Sequence, residues 1–142
     1  MAKNKWRIKE AVKIAEEAGL KALRTGAEAI LTEAIDETPI ETGTLRRSGT
    51  VTVGALPDGA RVFEAAEAGN EMKDAFPGQE GKEKAVYVSF NTPYARRQHE
   101  ELGYNHPLGG KAKYLEDPFN RNKNKVLKYA DKQVKKALEK AK

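Results

Sequence analysis

The sequence predicts an α+β fold: a small antiparallel sheet of three to four strands, with a long N-terminal helix, a short helix and a C-terminal helix packed on one face. Three observations predict it. Apolar residues recur every three or four positions across residues 3–36. Apolar and polar residues alternate at 49–56 and again at 85–91. Val126, Ala130, Val134 and Leu138 return at every fourth position of a last, lysine-rich segment.

Taken in order, residues 3–36 place Ile8, Val12, Ala15, Leu23, Ala27, Ile30 and Ala34 on one stripe and Lys9, Lys13, Glu16, Glu17, Lys21 and Glu28 on the other face, the pattern of an amphipathic helix. At 1.5 Å per residue this helix would run about 50 Å, longer than a domain of this size is wide. It is expected either to break near Gly19 or Gly26 or to project and pack on another subunit. Pro39 ends it, because the residue before a proline avoids the helical region.

Residues 49–66 read as a hairpin: a half-buried strand with Val51 and Val53 on one side and Thr50 and Thr52 on the other, a Pro57-Asp58-Gly59 turn, and a second strand from Ala60 to Ala66. Glycines and Pro77 among Glu67, Glu71, Asp74, Glu80 and Glu83 then predict a long, mobile, acidic loop over 67–83. A strand over 84–91 follows, with Val86, Val88 and Phe90 on one side. Thr92 as N-cap and Pro93 at the first helical position start a short helix, 93–102, which Gly103 ends. A fourth strand is expected around Lys113–Leu115. Asp117-Pro118 repeats the cap-plus-proline signal and opens the C-terminal helix, 118–141.

The 142 residues suit one domain with a modest core, and a 39% hydrophobic, 33% charged composition leaves much charged surface. Such a subunit often completes its burial against neighbours. The absence of cysteine excludes a disulfide framework and a thiolate zinc site. No apolar run approaches the roughly 20 residues that cross a bilayer, and the start lacks the apolar stretch of a signal peptide. The expectation is a soluble protein, not exported by a cleaved signal and without membrane contact. The net charge of +5 is uneven: Pro118–Lys142 holds nine Lys/Arg and two acids, so the remainder is −2.

Three segments carry the functional reading. In Pro39–Ser48, Pro39 stops the helix, Gly43 permits a turn with positive φ, Leu45 can anchor the loop, and Arg46 and Arg47 stand where the strand begins. The two arginines either touch a partner or pair within the fold. The second segment, Thr92–Gly103, contains Tyr94, Arg96, Arg97, His99, Glu100 and Glu101. The zinc-helix pattern needs two histidines on one helical face, but position 103 is Gly and the other histidine is His106, so a metal-dependent hydrolase built on His99 and His106 is the weakest reading. The third segment is Lys113–Pro118.

No cysteine nucleophile, Gly-x-Ser-x-Gly elbow or phosphate-binding Gly-rich loop is present, and no catalytic residue, cofactor or metal is expected. The lysines of the last helix, Lys125, Lys128, Lys132, Lys135 and Lys136 among them, suit non-specific phosphate contact, docking on an acidic partner or simple solubility. Nearly absent aromatics argue against base-specific readout.

In order and spacing, Pro39, Thr42-Gly43, Leu45-Arg46 and Ser48, then Tyr94-Ala95, the acid-then-Gly103 helix end, and Tyr114-Leu115 to Pro118 resemble one family: the small tail-completion, head–tail joining or "minor capsid" proteins of long-tailed bacteriophages and prophages. The resemblance runs from the first helix to about Pro118, and the 67–83 loop and lysine-rich tail look like local elaborations. It implies helices packed on a small antiparallel sheet and a virion protein without catalytic activity, made in the host bacterial cytoplasm. It implies a ring, most often a hexamer, between tail tube and neck or connector proteins, with possible contact to packaged DNA. On that resemblance the partner interface is expected at Thr42, Gly43, Thr44, Leu45, Arg46, Arg47, Ser48, Tyr94, Arg96 and Arg97, and contact with DNA or an acidic partner at Lys125, Lys128, Lys132, Lys135 and Lys136. A non-specific DNA-binding module working through the last helix is the alternative.

Overall fold

The computed structural model describes residues 2–40, 43–71, 84–103 and 109–141, with side chains from residue 7 onward. Its elements are α1 (Ala2–Glu37), α2 (Thr44–Arg47), β1 (Gly49–Val53), α3 (Gly59–Glu67), β2 (Val86–Phe90), α4 (Ala95–Glu100) and α5 (Glu116–Lys140). The class is α+β, as expected, with long N-terminal and C-terminal helices and a small antiparallel sheet.

Among the described residues the sheet has two strands rather than three or four. β1 pairs antiparallel with β2, from Gly49 opposite Phe90 to Val53 opposite Val86, with Val51 facing Val88. The expected hairpin at 49–66 does not form, because 59–67 is helix. Asp58 caps it by accepting from the Arg61 N–H, and Val62 and Ala66, four residues apart, are both fully buried. An i, i+4 burial pattern is helical, and with a cap it outweighs the short alternation that suggested a strand. The expected strand at 113–115 is a turn, and Lys113 has φ +57°, a left-handed conformation that extended pairing does not use.

α1 is unbroken over 36 residues. α5 runs antiparallel along it: Arg121 pairs with Glu37, Gly26 faces Val126 and Gly19 faces Val134. The two glycines that suggested a break are therefore places of close helix approach. A methyl group added at Gly26 would lie 2.4 and 2.8 Å from the two Cγ atoms of Val126. α5 begins at Glu116, so Pro118 falls inside the first turn, where no intrahelical N–H bond is lost.

The core has two centres. In one, Ala27 and Leu31 of α1 pack on Val51, joined by Ile35, Val86, Val88 and Phe90. In the other, Leu45, Ala95 and Tyr114 meet Phe90 and Leu115. β1 is buried on both faces rather than one, since Thr50 and Thr52 are buried as well as Val51. This is possible because the hydroxyls are satisfied: Thr50 Oγ1 pairs with Ser89 Oγ at 3.0 Å, and Thr52 Oγ1 donates to the Ala55 carbonyl at 2.6 Å.

Among the described residues, the far end of α1 packs on α5 rather than on the sheet. Arg7, Glu10, Ala11 and Ile14 line a recess with Leu138 and Ala141 of the α5 end. The molecule thus has a body built around the sheet and a two-helix arm.

Candidate functional site: assembly surfaces

The loop between α1 and β1 is held by its own side chains. Gly43 has φ +80°, the left-handed conformation that favours glycine, and its N–H donates to the Ile40 carbonyl. A helix leaves its last four carbonyls without intrahelical donors, and at α1 other parts of the chain supply them. Thr38 Oγ1 donates to the Ala34 carbonyl at 2.6 Å, Arg46 Nη2 to Asp36 at 2.9 Å, and the Lys111 N–H to Glu37 at 2.8 Å. Arg46 Nε also reaches the Thr38 carbonyl at 2.8 Å. Arg47 does the same for α3, with Nε 2.8 Å from the Ala66 carbonyl. Adjacent arginines therefore close the C-terminal ends of two different helices, where positive charge also suits the helix dipole.

The rest of this segment is internal. Thr44, Leu45 and Ser48 are buried. Ser48 Oγ donates to the Leu45 carbonyl at 2.7 Å and accepts from the Asn91 N–H at 3.0 Å. Asn91 Nδ2 donates to the Ser48 carbonyl at 2.8 Å, which ties the loop to the end of β2. Thr42 lies outside the described residues. Asn91 was not singled out from sequence; its signal was an amide immediately after a strand, facing two hydroxyl-bearing positions.

The second segment is divided. α4 starts at Ala95, after Tyr94, rather than at Pro93. Thr92 supplies its carbonyl to the Ala95 N–H, while its hydroxyl is buried without a protein partner, so it is not the expected side-chain cap. Ala95 is buried, whereas Tyr94, Arg96 and Arg97 face solvent.

His99 is held at both ring nitrogens. Nδ1 lies 2.8 Å from Glu100 Oε1, and Nε2 accepts the Glu116 N–H at 3.2 Å. That pattern fixes the ring proton on Nδ1. The ring also stands edge-on to Tyr114 at 5.0 Å. Its role here is to dock α4 on the N-terminus of α5. No group of three or more His, Asp or Glu that could hold a metal occurs among the described residues, and His106 lies outside them. Lys113 bridges Glu100 and Glu116, and Lys111 bridges Asp117 and Glu37. The hydrogen bond from Lys113 holds the Glu100 carboxyl below its ordinary range, and that from Lys111 does the same for Asp117. Tyr114 donates to the Ala95 carbonyl at 2.8 Å, and burial pushes its phenol well above its ordinary range. Buried and hydrogen-bonded, Tyr114 is a structural pin.

Lys125, Lys128, Lys132, Lys135 and Lys136 are all exposed, and spacings of three and four place them along one side of α5. Lys135 pairs with Asp131 at 3.0 Å. Sequence reading did not find the apolar recess of about 380 Å³ lined by Leu23, Ala27 and Ile30 of α1, Val86 and Val88 of β2, and His99, Leu115, Glu116, Phe119 and Val126. It needs four elements, α1, β2, α4 and α5, brought together across the whole chain. No helix of the described residues is long and apolar enough to cross a membrane.

The described surface thus carries an exposed Tyr-Arg-Arg ridge, a lysine stripe and an apolar recess. A model of the family described as "Bacteriophage HK97-gp10, putative tail-component" matches residues 2–117. The chain belongs to that phage tail-component family, in agreement with the resemblance seen in the sequence. The match takes in the body and all of α1 and stops where α5 begins. No curated protein and no solved structure matches the chain.

Proposed function

We propose that this chain is a structural subunit at the head–tail junction of a phage or prophage particle, where it completes or caps the tail and joins it to the head. It works without catalysis and without a cofactor. Copies stand beside one another in a ring, six being the expected number, between the tail tube and the neck or connector proteins. The observation that carries this reading is the family match over residues 2–117, which supports a tail structural role; the exposed contact surfaces agree with it. Tyr94, Arg96 and Arg97 are the partner residues we favour, since they are exposed at the start of α4, which Tyr114 and His99 tie to the body. In the Thr42–Ser48 segment, Thr44, Leu45 and Ser48 are buried and Arg46 and Arg47 close helix ends, so a neighbour would meet its described part at the half-buried Gly43.

Disrupting the gene and viewing the lysate by electron microscopy tests this. Separate filled heads and tails, or tails of abnormal length, are expected; normal infectious particles would sink the reading.

The exposed lysine stripe favours one addition, non-specific contact with packaged DNA. Reversing Lys132, Lys135 and Lys136 to Glu should then abolish retention on DNA at low salt and flatten its salt dependence, while particle assembly continues. If the wild-type protein leaves DNA unbound at low salt, this addition fails and the junction role stands.

A further inference from the structure

A groove of about 340 Å³ opens along the seam between α1 and α5. Small side chains, Ala22 and Ala137 among them, form its floor. Lys21 stands on its α1 rim and Lys136 and Lys140 on its α5 rim, all three exposed. Of the described residues, no Asp or Glu lines it. Among those residues the three lysines also have no ion-pair partner, unlike Lys135, which is paired with Asp131. A concave surface of one sign, with no counter-charge of its own, gathers ligands of the other sign. The shape of the anion follows from the helix. At 3.6 residues per turn, Lys125, Lys132, Lys136 and Lys140 fall within about a quarter of the circumference of α5, and about 22 Å of helix separates the first from the last. A linear polyanion spans that length; a small ion does not. Two details favour phosphates over carboxylates. The groove offers lysine alone, a point charge that serves phosphate well, and not the guanidinium fork that matches a carboxylate. Tyr129, in the lining and 41% exposed, adds an aromatic surface on which a sugar or base can rest without being read.

We propose that this groove seats one phosphodiester strand of a nucleic acid, with Lys21 holding phosphates from the α1 side and Lys136 and Lys140 from the α5 side. That α5 meets nucleic acid at all is the reading on which this rests. The groove brings a second helix into the contact, so that Lys21, far from the α5 lysines in sequence, becomes part of the same site. The strand is either a free one or one of the two in a duplex, since both present the same backbone chemistry.

Fluorescence anisotropy of the full chain with a labelled oligothymidylate of about 12 nucleotides, and with a duplex of the same length, tests this. At low salt, Lys21→Gln should weaken binding about three- to tenfold and lower the slope of log K against log salt by about 0.7 to 0.9, the loss of one phosphate contact. Lys13→Gln makes the same charge change at an exposed position outside the groove and should leave affinity and slope as in the wild type. Both side chains are exposed, so the circular dichroism melts should match the wild type. A loss on the single strand alone identifies a free strand as the ligand, and a loss on the duplex alone a paired one; either upholds the groove. Equal effects of Lys21→Gln and Lys13→Gln overturn it and leave DNA contact through the outer lysines of α5 standing. No binding by the wild type to either probe overturns the groove and that contact together. A polyglutamate of equal charge bound as tightly as the oligonucleotide would make the occupant an acidic protein segment and overturn the proposal as well.

Discussion

The two ends of α1 belong to one helix and behave as two materials. At the C-terminal end, the carbonyls of Ala34, Asp36 and Glu37 each receive a donor from outside the helix backbone, and Ala27 and Leu31 press on Val51. At the N-terminal end, Ile8 and Val12 stand in water and α5 supplies the packing. The difference teaches what each end is for. The body is closed by contacts within the chain, so its sequence signals are signals of folding. The arm carries apolar surface that folding does not use.

The comparison breaks most visibly at Leu31. It is 2% exposed at the centre of the first core cluster, and Leu31→Ala should cost about 2–5 kcal/mol, measured by urea unfolding. Val12→Ser on the arm should change stability by less than about 0.5 kcal/mol in the same assay. Equal losses at the two positions would mean that the arm is as much a part of the folding unit as the body.

Arg46 is the next largest. Arg46→Ala removes the donors to the Asp36 and Thr38 carbonyls and should cost about 1–3 kcal/mol, since charged donors are lost and the part-buried Thr38 carbonyl is left bare. Arg46→Lys should recover only part of this, because one ammonium does not reproduce the guanidinium fork. A purely partner-binding Arg46 would leave unfolding of the isolated chain unaltered.

Gly26 tests the join between body and arm. A methyl there meets Val126 well inside contact distance, and overpacking costs about 1–3 kcal/mol. Alanine is also the better helix former by about 1 kcal/mol, so Gly26→Ala alone should be mildly destabilising. Gly26→Ala with Val126→Ala removes the clash and should be more stable than Gly26→Ala alone by equilibrium unfolding.

Sequence periodicity found α1, β1, β2 and α5 because each repeats its pattern long enough to fix a period. It failed at 59–67, where nine residues hold too few turns to separate alternation from i, i+4 spacing, and the decisive signal was the Asp58 cap. It failed at 113–115 because a left-handed Lys113 has no compositional mark. The family resemblance was legible from short motifs, and several of those motifs are folding devices: Leu45 and Tyr114 are core, and Arg46 caps a helix. Tyr94, Arg96, Arg97 and the lysines of α5, expected from the sequence to meet partners, are exposed, because a solvated charge or ring leaves its mark in composition without needing the fold. The recess could not be read at all, since it joins Leu23, Val88 and Phe119, which only the fold brings together.

The smallest expected effect concerns the ion-paired clasp between α4 and α5, and its sign follows from the direction of each shift. Glu100 and Asp117 are held below their ordinary values of 4.5 and 3.8 by hydrogen bonds from Lys113 and Lys111. A carboxylate lowered by folding stabilises the fold above its ordinary value, and that contribution is lost as pH falls through the lowered one. Lys111 and Lys113 are raised above 10.5 by the same contacts, so their contribution holds below that value and is lost as pH rises through the raised ones. All four groups are solvent-accessible, so salt screens them. Thermal melts should therefore decline gently as pH falls below 4.5, with a slope that flattens in high salt and in Lys111→Met with Lys113→Met.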